Sequence, residues 1–110
     1  MALGVNTYFF FYDIAVSKFR RKLVKIVEGY GSRFQYSVFV CQLTKMQKDE
    51  LECKVRDYFL WKRVQEAKSD RIALESKLDS VCILLACKQC RASIASFGRP
   101  FDFDETTVVV

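Results

Sequence analysis

The chain of 110 residues is long enough for one compact domain with a single core, and we expect that domain to span residues 1–110. Apolar residues make up 51% of it and aromatic residues 15%, a composition that excludes an intrinsically disordered protein. The apolar runs are far shorter than the ~20 residues of a membrane-spanning helix, and no secretory leader is recognisable, so we expect a cytoplasmic protein with no membrane partner.

Charge and residue types further limit the possible binding partners and catalytic mechanisms. The 18 Lys and Arg outnumber the 13 Asp and Glu, giving a formal net charge of +5 that favours a polyanionic partner such as a nucleic acid. The five cysteines are scattered through predicted core segments, which predicts free and mostly buried thiols rather than a disulfide framework. There is no histidine, so Ser–His and Cys–His catalysis are excluded and phosphodiester chemistry would require a metal ion.

The first half of the chain predicts a strand, a helix and a hairpin. Residues 6–14 (NTYFFFYDI) are a nearly unbroken aromatic run, typical of a central strand. Ser17 is the predicted N-cap of an amphipathic helix that ends near Gly29. Residues 33–43 (RFQYSVFVCQL) are rich in β-branched and aromatic side chains, which indicates two short strands joined by a turn near Ser37.

A second long helix is predicted after the hairpin. Thr44 and Gln47 form a capping box at its start. The polar segment 65–78 either extends this helix or forms a separate short one. The apolar stripe of the helix is predicted at Leu51, Val55, Tyr58 and Phe59.

Strands are predicted in the rest of the chain. Residues 81–86 (VCILLA) indicate a buried strand, and further strands are expected at 93–97 and 106–110, with a turn at 98–100. The resulting order of strand, helix, strand, strand, helix, strand predicts an α+β protein. We expect the ferredoxin-like βαββαβ fold, an antiparallel sheet with two helices on one face, extended by C-terminal strands.

Four pieces carry a resemblance that covers most of the chain: YFFFYDI at 8–14, RFQYSVFVCQLT at 33–44, DSVCILLACKQC at 79–90, and the late glycine–proline turn before a β-rich tail. In this order they resemble the Cas2 family of CRISPR-associated proteins. The first two pieces are the most specific, because ferredoxin-like folds do not share them generally. The segment 65–78 departs from the family, since it is longer than the usual link into the fourth strand.

The resemblance implies a homodimer that acts in spacer acquisition, where it bridges two dimers of the CRISPR integrase. It places the family's catalytic and metal-binding acid at Asp13, with Mg²⁺ or another divalent cation as cofactor and metal-dependent endonuclease activity. Tyr12 and Phe39 are implied as supporting residues around that site. A single carboxylate provides few protein ligands for a metal ion, so we expect Asp13 of both protomers to meet at the dimer axis.

Two sets of residues have a structural alternative. Residue type alone favours an Asp13 that merely caps the turn after the strand, and only the resemblance favours the metal role. A set of five aromatic residues is interpreted as core packing rather than base stacking, because the signature of RNA-recognition modules is missing. These aromatic residues are Phe9, Phe10, Phe11, Tyr36 and Phe39.

Basic residues crowd the predicted start of the first helix, where the helix dipole makes positive charge unfavourable. This departure from a local rule indicates a functional surface, the alternative being a solvated helix face. We expect the cluster to bind the backbone of double-stranded DNA or RNA, largely without sequence readout. The predicted nucleic-acid-binding residues are Arg20, Arg21 and Lys22 of this cluster, together with Arg33, which the resemblance to the family implies before the second strand.

The leading hypothesis is therefore a nucleic-acid-binding scaffold of CRISPR adaptation, with endonuclease activity at Asp13 as a less secure addition. The alternative is a non-catalytic protein-interaction module whose C-terminal strand (TTVVV, 106–110) pairs with the sheet of a partner. In either case we expect the tail 99–110 to pack on a partner subunit.

Overall fold

The computed structural model of the chain describes residues 4–87 and Phe97. The elements are β1 (Asn6–Asp13), α1 (Ser17–Glu28), β2 (Ser32–Gln35), β3 (Val38–Leu43), α2 (Lys45–Glu66), α3 (Asp70–Glu75) and β4 (Ser80–Ala86). The predicted order is confirmed, with α3 as a separate short helix before the last described strand. The predictions at 93–97, 98–100 and 106–110 lie outside the described residues, apart from Phe97 itself.

The four strands form one antiparallel sheet in the order β2-β3-β1-β4. β1 occupies a central position, pairing with β3 on one side and with β4 on the other. α1 and α2 pack on one face of this sheet, which is the predicted ferredoxin-like α+β arrangement. Within residues 4–87, no helix combines the length and the apolar character needed to cross a membrane.

Strand alternation divides the side chains of β1 between the two faces of the sheet. Phe10 and Tyr12 face the helices and are buried in the main core. Phe11 and Asp13 therefore point to the opposite face. The buried core between sheet and helices consists of Tyr8, Phe10, Tyr12, Ile14, Phe19, Leu23, Val27, Phe39, Cys41, Leu43, Leu51 and Tyr58.

The face of the sheet away from the helices is also apolar. We call it the open face and define it by Phe9, Phe11, Val40, Cys82 and Leu84, which alternation and strand register place together. Phe9 and Val40 are buried there, but Phe11 is 38% exposed and Leu84 53% exposed. α1 and α2 lie on the other side, so neither of these helices covers this apolar surface.

Core packing is confirmed for three of the five aromatic residues interpreted in that way, Phe9, Phe10 and Phe39. It is wrong for Phe11, which lies on the open face, and for Tyr36, which is 78% exposed. Tyr36 occupies the two-residue turn between β2 and β3, where the chain reverses and no second layer covers the side chain.

The two long helices begin differently. Thr44 and Gln47 form the predicted capping box of α2. The prediction that Ser17 caps α1 is wrong: Val16 is the N-cap, without a side-chain hydrogen bond, and Ser17 is the first helical residue. The reason is that the Ser17 hydroxyl oxygen instead accepts a hydrogen bond from Arg20 Nη2 at 2.9 Å.

The prediction of mostly buried thiols is wrong for the described cysteines. Cys41 is buried, whereas Cys53, Cys82 and Cys87 are exposed. Alternation along β4 turns Cys82 towards the open face, and Cys53 lies on the solvent side of α2. Burial raises the pKa of the Cys41 thiol to about 12, so this residue remains protonated and unreactive.

Candidate nucleic-acid interface and the Asp13 turn

A groove of about 840 Å³ runs between α1, the β2–β3 hairpin and the C-terminal part of α2. Six of the side chains that line it are cationic and one, Glu28, is anionic. The lining of the groove therefore carries a strong excess of positive charge. The lining residues are Tyr12, Lys18, Arg20, Arg21, Lys22, Val24, Lys25, Glu28, Arg33, Tyr36 and Trp61.

Arg33 is held in place at the hairpin end of the groove. Its Nη1 donates to the carbonyl oxygen of Tyr36 at 2.6 Å and to Tyr12 Oη at 3.1 Å. Tyr12 Oη in turn donates to the same Tyr36 carbonyl at 3.0 Å. The guanidinium also lies 5.0 Å from the ring centroid of Phe39. These bonds to described residues use Nη1 alone, so within the described part of the chain Nη2 and Nε are available for a bidentate contact with a phosphate.

Arg20, at the other end of the groove, stabilises the backbone before α1. It donates from Nη1 to the carbonyl oxygen of Ile14 and from Nη2 to Ser17 Oγ, both at 2.9 Å. These bonds close the turn that precedes α1. Arg21 and Lys25 are exposed on the wall of the groove.

Trp61, the single tryptophan of the chain, forms part of the groove floor. Its ring packs edge-on against Phe19 with the centroids 5.6 Å apart. Lys22 Nζ lies 4.5 Å from the Trp61 ring centroid, a cation–π contact. A polyanion in the groove would compete for this ammonium, so the indole is a natural reporter of binding.

Asp13 lies apart from this groove. It ends β1 opposite Ser80, is exposed, and its carboxylate has no hydrogen bond or ion pair with any described residue. Tyr12, its neighbour, points to the helix side and Asp13 to the open face. Five of the seven predicted site residues thus line one groove (Tyr12, Arg20, Arg21, Lys22 and Arg33), Phe39 supports it from below, and Asp13 is separate.

The metal prediction can be tested against the side chains present. Among residues 4–87 and Phe97, no group of three or more Asp, Glu, Cys or His side chains lies close enough to hold a metal ion. At the end of β1, the described part of one chain supplies a single carboxylate to such a site, that of Asp13. Mg²⁺ is commonly held by one or two carboxylates together with water and substrate phosphates. The described residues therefore fit Mg²⁺ only where a second carboxylate or a phosphate joins Asp13.

An ionic cluster that was not predicted from the sequence adjoins the Asp13 turn, with the Lys62 and Asp79 side chains buried. Lys62 Nζ donates to Glu66 Oε2 at 2.8 Å and lies 3.0 Å from Asp79 Oδ2. The Asp79 contact is an ion pair without good hydrogen-bond direction, since Oδ2 is buried and accepts no hydrogen bond from the described residues. Ser76 donates its hydroxyl to Glu66, and Asp79 Oδ1 accepts from the Ala15 amide at 2.9 Å.

The spacing of α2 contained a signal for this cluster. Lys62 follows Tyr58 by four residues, so it belongs to the same buried stripe despite its charge. Burial would raise the pKa of the Glu66 carboxyl, but hydrogen bonds from Lys62 and Ser76 outweigh it and hold the pKa below its ordinary value. Glu66 is therefore ionised at neutral pH and balances the Lys62 ammonium.

A family model described as CRISPR associated protein Cas2 matches residues 6–94. The chain belongs to the Cas2 family. It is 31% identical over 91 residues to CRISPR-associated endoribonuclease Cas2 1 of Chloroflexus aurantiacus, covering 83% of each protein. It is 44% identical over 48 residues to CRISPR-associated endoribonuclease Cas2 3 of Synechocystis sp., a match that covers 44% of this chain and only 52% of that relative.

A solved structure supports the Cas2 fold. A chain of a partial Cas6-RT-Cas1–Cas2 complex superimposes with a TM-score of 0.64 at 23% identity, covering 83% of this chain and 89% of that one. At this identity the likeness concerns the fold. It agrees with the antiparallel sheet and the two helices on one of its faces.

Proposed function

We propose that the chain is a homodimeric scaffold of CRISPR adaptation that binds a nucleic-acid duplex by its backbone in a complex with the CRISPR integrase. The observation that carries this proposal is the groove beside α1, where six cations face a single carboxylate. Neutralisation of phosphates by Lys and Arg supplies most of sequence-independent affinity for nucleic acids. Membership of the Cas2 family supports the assignment to the CRISPR system.

The residues of the groove would divide the work of binding. Arg33, fixed through Nη1, presents its remaining donors to a phosphate with little loss of side-chain freedom. Arg21 and Lys25 are exposed and act mainly through charge. Arg20 would contribute less directly, because it already closes the turn before α1. Such contacts position a duplex without reading its sequence.

The open face supports a homodimer. Phe11 and Leu84 expose apolar surface that a second copy would cover, and a two-fold axis brings the same residues of both chains together. β4 lies at one edge of the described sheet, where the tail 99–110 of a partner subunit could add a strand. The solved partial complex contains Cas1 beside Cas2, which supports a Cas1 integrase as the larger partner.

A metal-dependent endonuclease is the second candidate function. It is favoured by the curated relatives, which are named endoribonucleases, and by the unpaired carboxylate of Asp13 on the open face. Asp13 of the two protomers would hold the cation at the rim of the dimer interface. When bound, Mg²⁺ would activate water and stabilise charge on a phosphodiester. The basic grooves would hold the nucleic acid on either side.

The scaffold proposal predicts a salt-dependent complex with the groove. Replacing Arg21 and Lys25 together by alanine should weaken duplex binding and lower the slope of log K against log salt by about 0.9 for each lost phosphate contact. Titrations followed by the change in Trp61 fluorescence, repeated at several salt concentrations, measure both the binding affinity and its salt dependence. Lys68→Ala with Arg71→Ala is the matched control, since it removes the same charge outside the groove. Equal slopes for the two double variants would contradict the assignment of the groove.

The nuclease proposal predicts that Asp13→Asn lowers the rate of Mg²⁺-dependent cleavage by about a hundredfold or more, while duplex binding stays near wild type. Asp13 is exposed and unpaired among the described residues, so the variant should also retain the wild-type unfolding midpoint. Asp57→Asn makes the same substitution at an exposed position of α2 and serves as control. Full cleavage by Asp13→Asn would remove Asp13 from the mechanism.

The homodimer proposal predicts selective protection of one thiol. Cys82 lies on the open face opposite Phe11, so dimerisation should slow its alkylation by about tenfold once the dimer is nine-tenths populated. Cys53, exposed on α2, should react at the same rate at every protein concentration. Mass spectrometry of the labelled peptides across a dilution series separates the two. Concentration-independent labelling of Cys82 would argue against a dimer through the open face.

A further inference from the structure

The turn between Asp13 and α1 is held by side chains at two adjacent backbone groups. Arg20 Nη1 donates to the carbonyl oxygen of Ile14 at 2.9 Å. Asp79 Oδ1 accepts from the amide of Ala15, also at 2.9 Å. The cationic side chain of Arg20 and the anionic side chain of Asp79, from different parts of the chain, thus hydrogen-bond the same peptide unit.

Asp79 places a negative charge just before the start of α1. α1 has no side-chain N-cap bond at Val16 and no acidic residue in its first turn. Asp79 supplies a carboxylate one residue before that N-cap, where negative charge is favourable and an amide needs an acceptor. It also directly precedes Ser80, the β4 partner of Asp13.

The position of Asp79 is in turn fixed by its ion pair with Lys62. Its side chain is 3% exposed and that of Lys62 4%, with 3.0 Å between the charged atoms. Lys62 also donates to Glu66 and to the carbonyl oxygen of Ser76, at the end of the segment 65–78. Buried ion pairs contribute little net stability, so a structural role alone does not explain why this cluster is ionic.

We infer that Asp79, held by Lys62, is a positioning residue that fixes the turn 14–16 and so sets where Asp13 stands relative to the basic start of α1. The inference rests on the proposed roles of Asp13 and of the groove. It also assigns a structural role to the segment 65–78. The end of this segment contacts Lys62 through the Ser76 carbonyl oxygen and places Asp79 beside the end of β1.

The test compares Asp79→Asn with Glu66→Gln. Both remove one carboxylate charge from Lys62, but only Asp79 contacts the turn. Amide hydrogen exchange of Ala15, measured by NMR below both unfolding midpoints, should accelerate by about tenfold to a hundredfold in Asp79→Asn, as expected for loss of a charged acceptor. In Glu66→Gln it should change no more than the amides of α2.

A second variant protects the test against misfolding. Asp79→Glu keeps the charge beside Lys62 but displaces the oxygen that meets Ala15. It should fold and still loosen the turn. In the cleavage assay, both Asp79 variants should lower kcat with little change in KM, whereas Glu66→Gln should leave both unchanged.

The outcomes separate the inference from the proposed function. If wild-type protein neither cleaves nor binds, the proposed function fails, and the exchange of Ala15 still decides whether Asp79 fixes the turn. If wild-type protein is active and the Asp79 variants match Glu66→Gln in exchange and kcat, Asp79 is only a structural residue and the inference is overturned.

Discussion

Lys62→Met is expected to lower the free energy of unfolding by about 3–5 kcal/mol, the usual effect of removing one partner from a buried ion pair. The substitution leaves the buried Asp79 carboxylate and the partly buried Glu66 carboxylate without their shared cation. Methionine fills much of the space between the Phe19 and Phe59 rings, which Lys62 now contacts, so the loss should reflect charge rather than a cavity. Urea unfolding followed by circular dichroism measures it.

Lys45→Met provides the control on the same helix. Lys45 pairs with Asp49 across one exposed turn, at 3.2 Å. Exposed pairs of this kind contribute about 0.3–0.5 kcal/mol, so the control should unfold close to wild type. If Lys62→Met were as mild as Lys45→Met, the buried cluster would have no energetic importance and its carboxylates would have to be protonated or hydrated.

Gly31→Ala is expected to destabilise the fold by about 1–3 kcal/mol or more, because the new methyl group has no space. A Cβ at Gly31 would lie 2.6 Å from Cys41 Sγ and closer still to the carbonyl oxygen of Val40. Both contacts belong to β3, so relief requires β2 to move away from β3. Arg33 follows two residues later, and its position in the groove should suffer with the strand.

Gly29→Ala tests the specificity of that effect. Gly29 ends α1 at φ −74°, and a Cβ there would meet only the carbonyl oxygen of Ile26, at 3.4 Å. Alanine restricts the unfolded chain, so this variant should be neutral or stabilised by up to about 1 kcal/mol. Similar unfolding midpoints for Gly29→Ala and Gly31→Ala would show that β3 yields freely at this contact.

Local rules predicted most elements of this fold. The aromatic run of β1, the hairpin turn at Ser37 and the capping box at Thr44 each depend on residues close in sequence, and all three are confirmed. The basic groove could also be anticipated, because four of its cations fall within the first turns of one helix. Patterns with a short range carry this information well.

Features that depend on contacts between residues far apart in the sequence could not be predicted from it. Ser17 looked like an N-cap, but its hydroxyl is engaged by Arg20. Lys62 could be placed on the buried stripe by spacing, whereas its partner Asp79 comes from the start of β4. Phe11 belongs to a typical buried strand, yet only the tertiary packing shows that the described helices lie on the other face of the sheet. Each of these depends on tertiary pairing rather than on local preference.

The strand order also bears on how the chain is made. Of the four described strands, β1 is synthesised before the others but occupies the interior of the sheet, and its two neighbours are synthesised at different times. α1 and the β2–β3 hairpin can assemble on β1 early, while the other edge of β1 waits for β4 and is open to wrong strand pairing. Ala15 receives its acceptor only when Asp79 emerges, so the turn beside Asp13 is completed late in biogenesis.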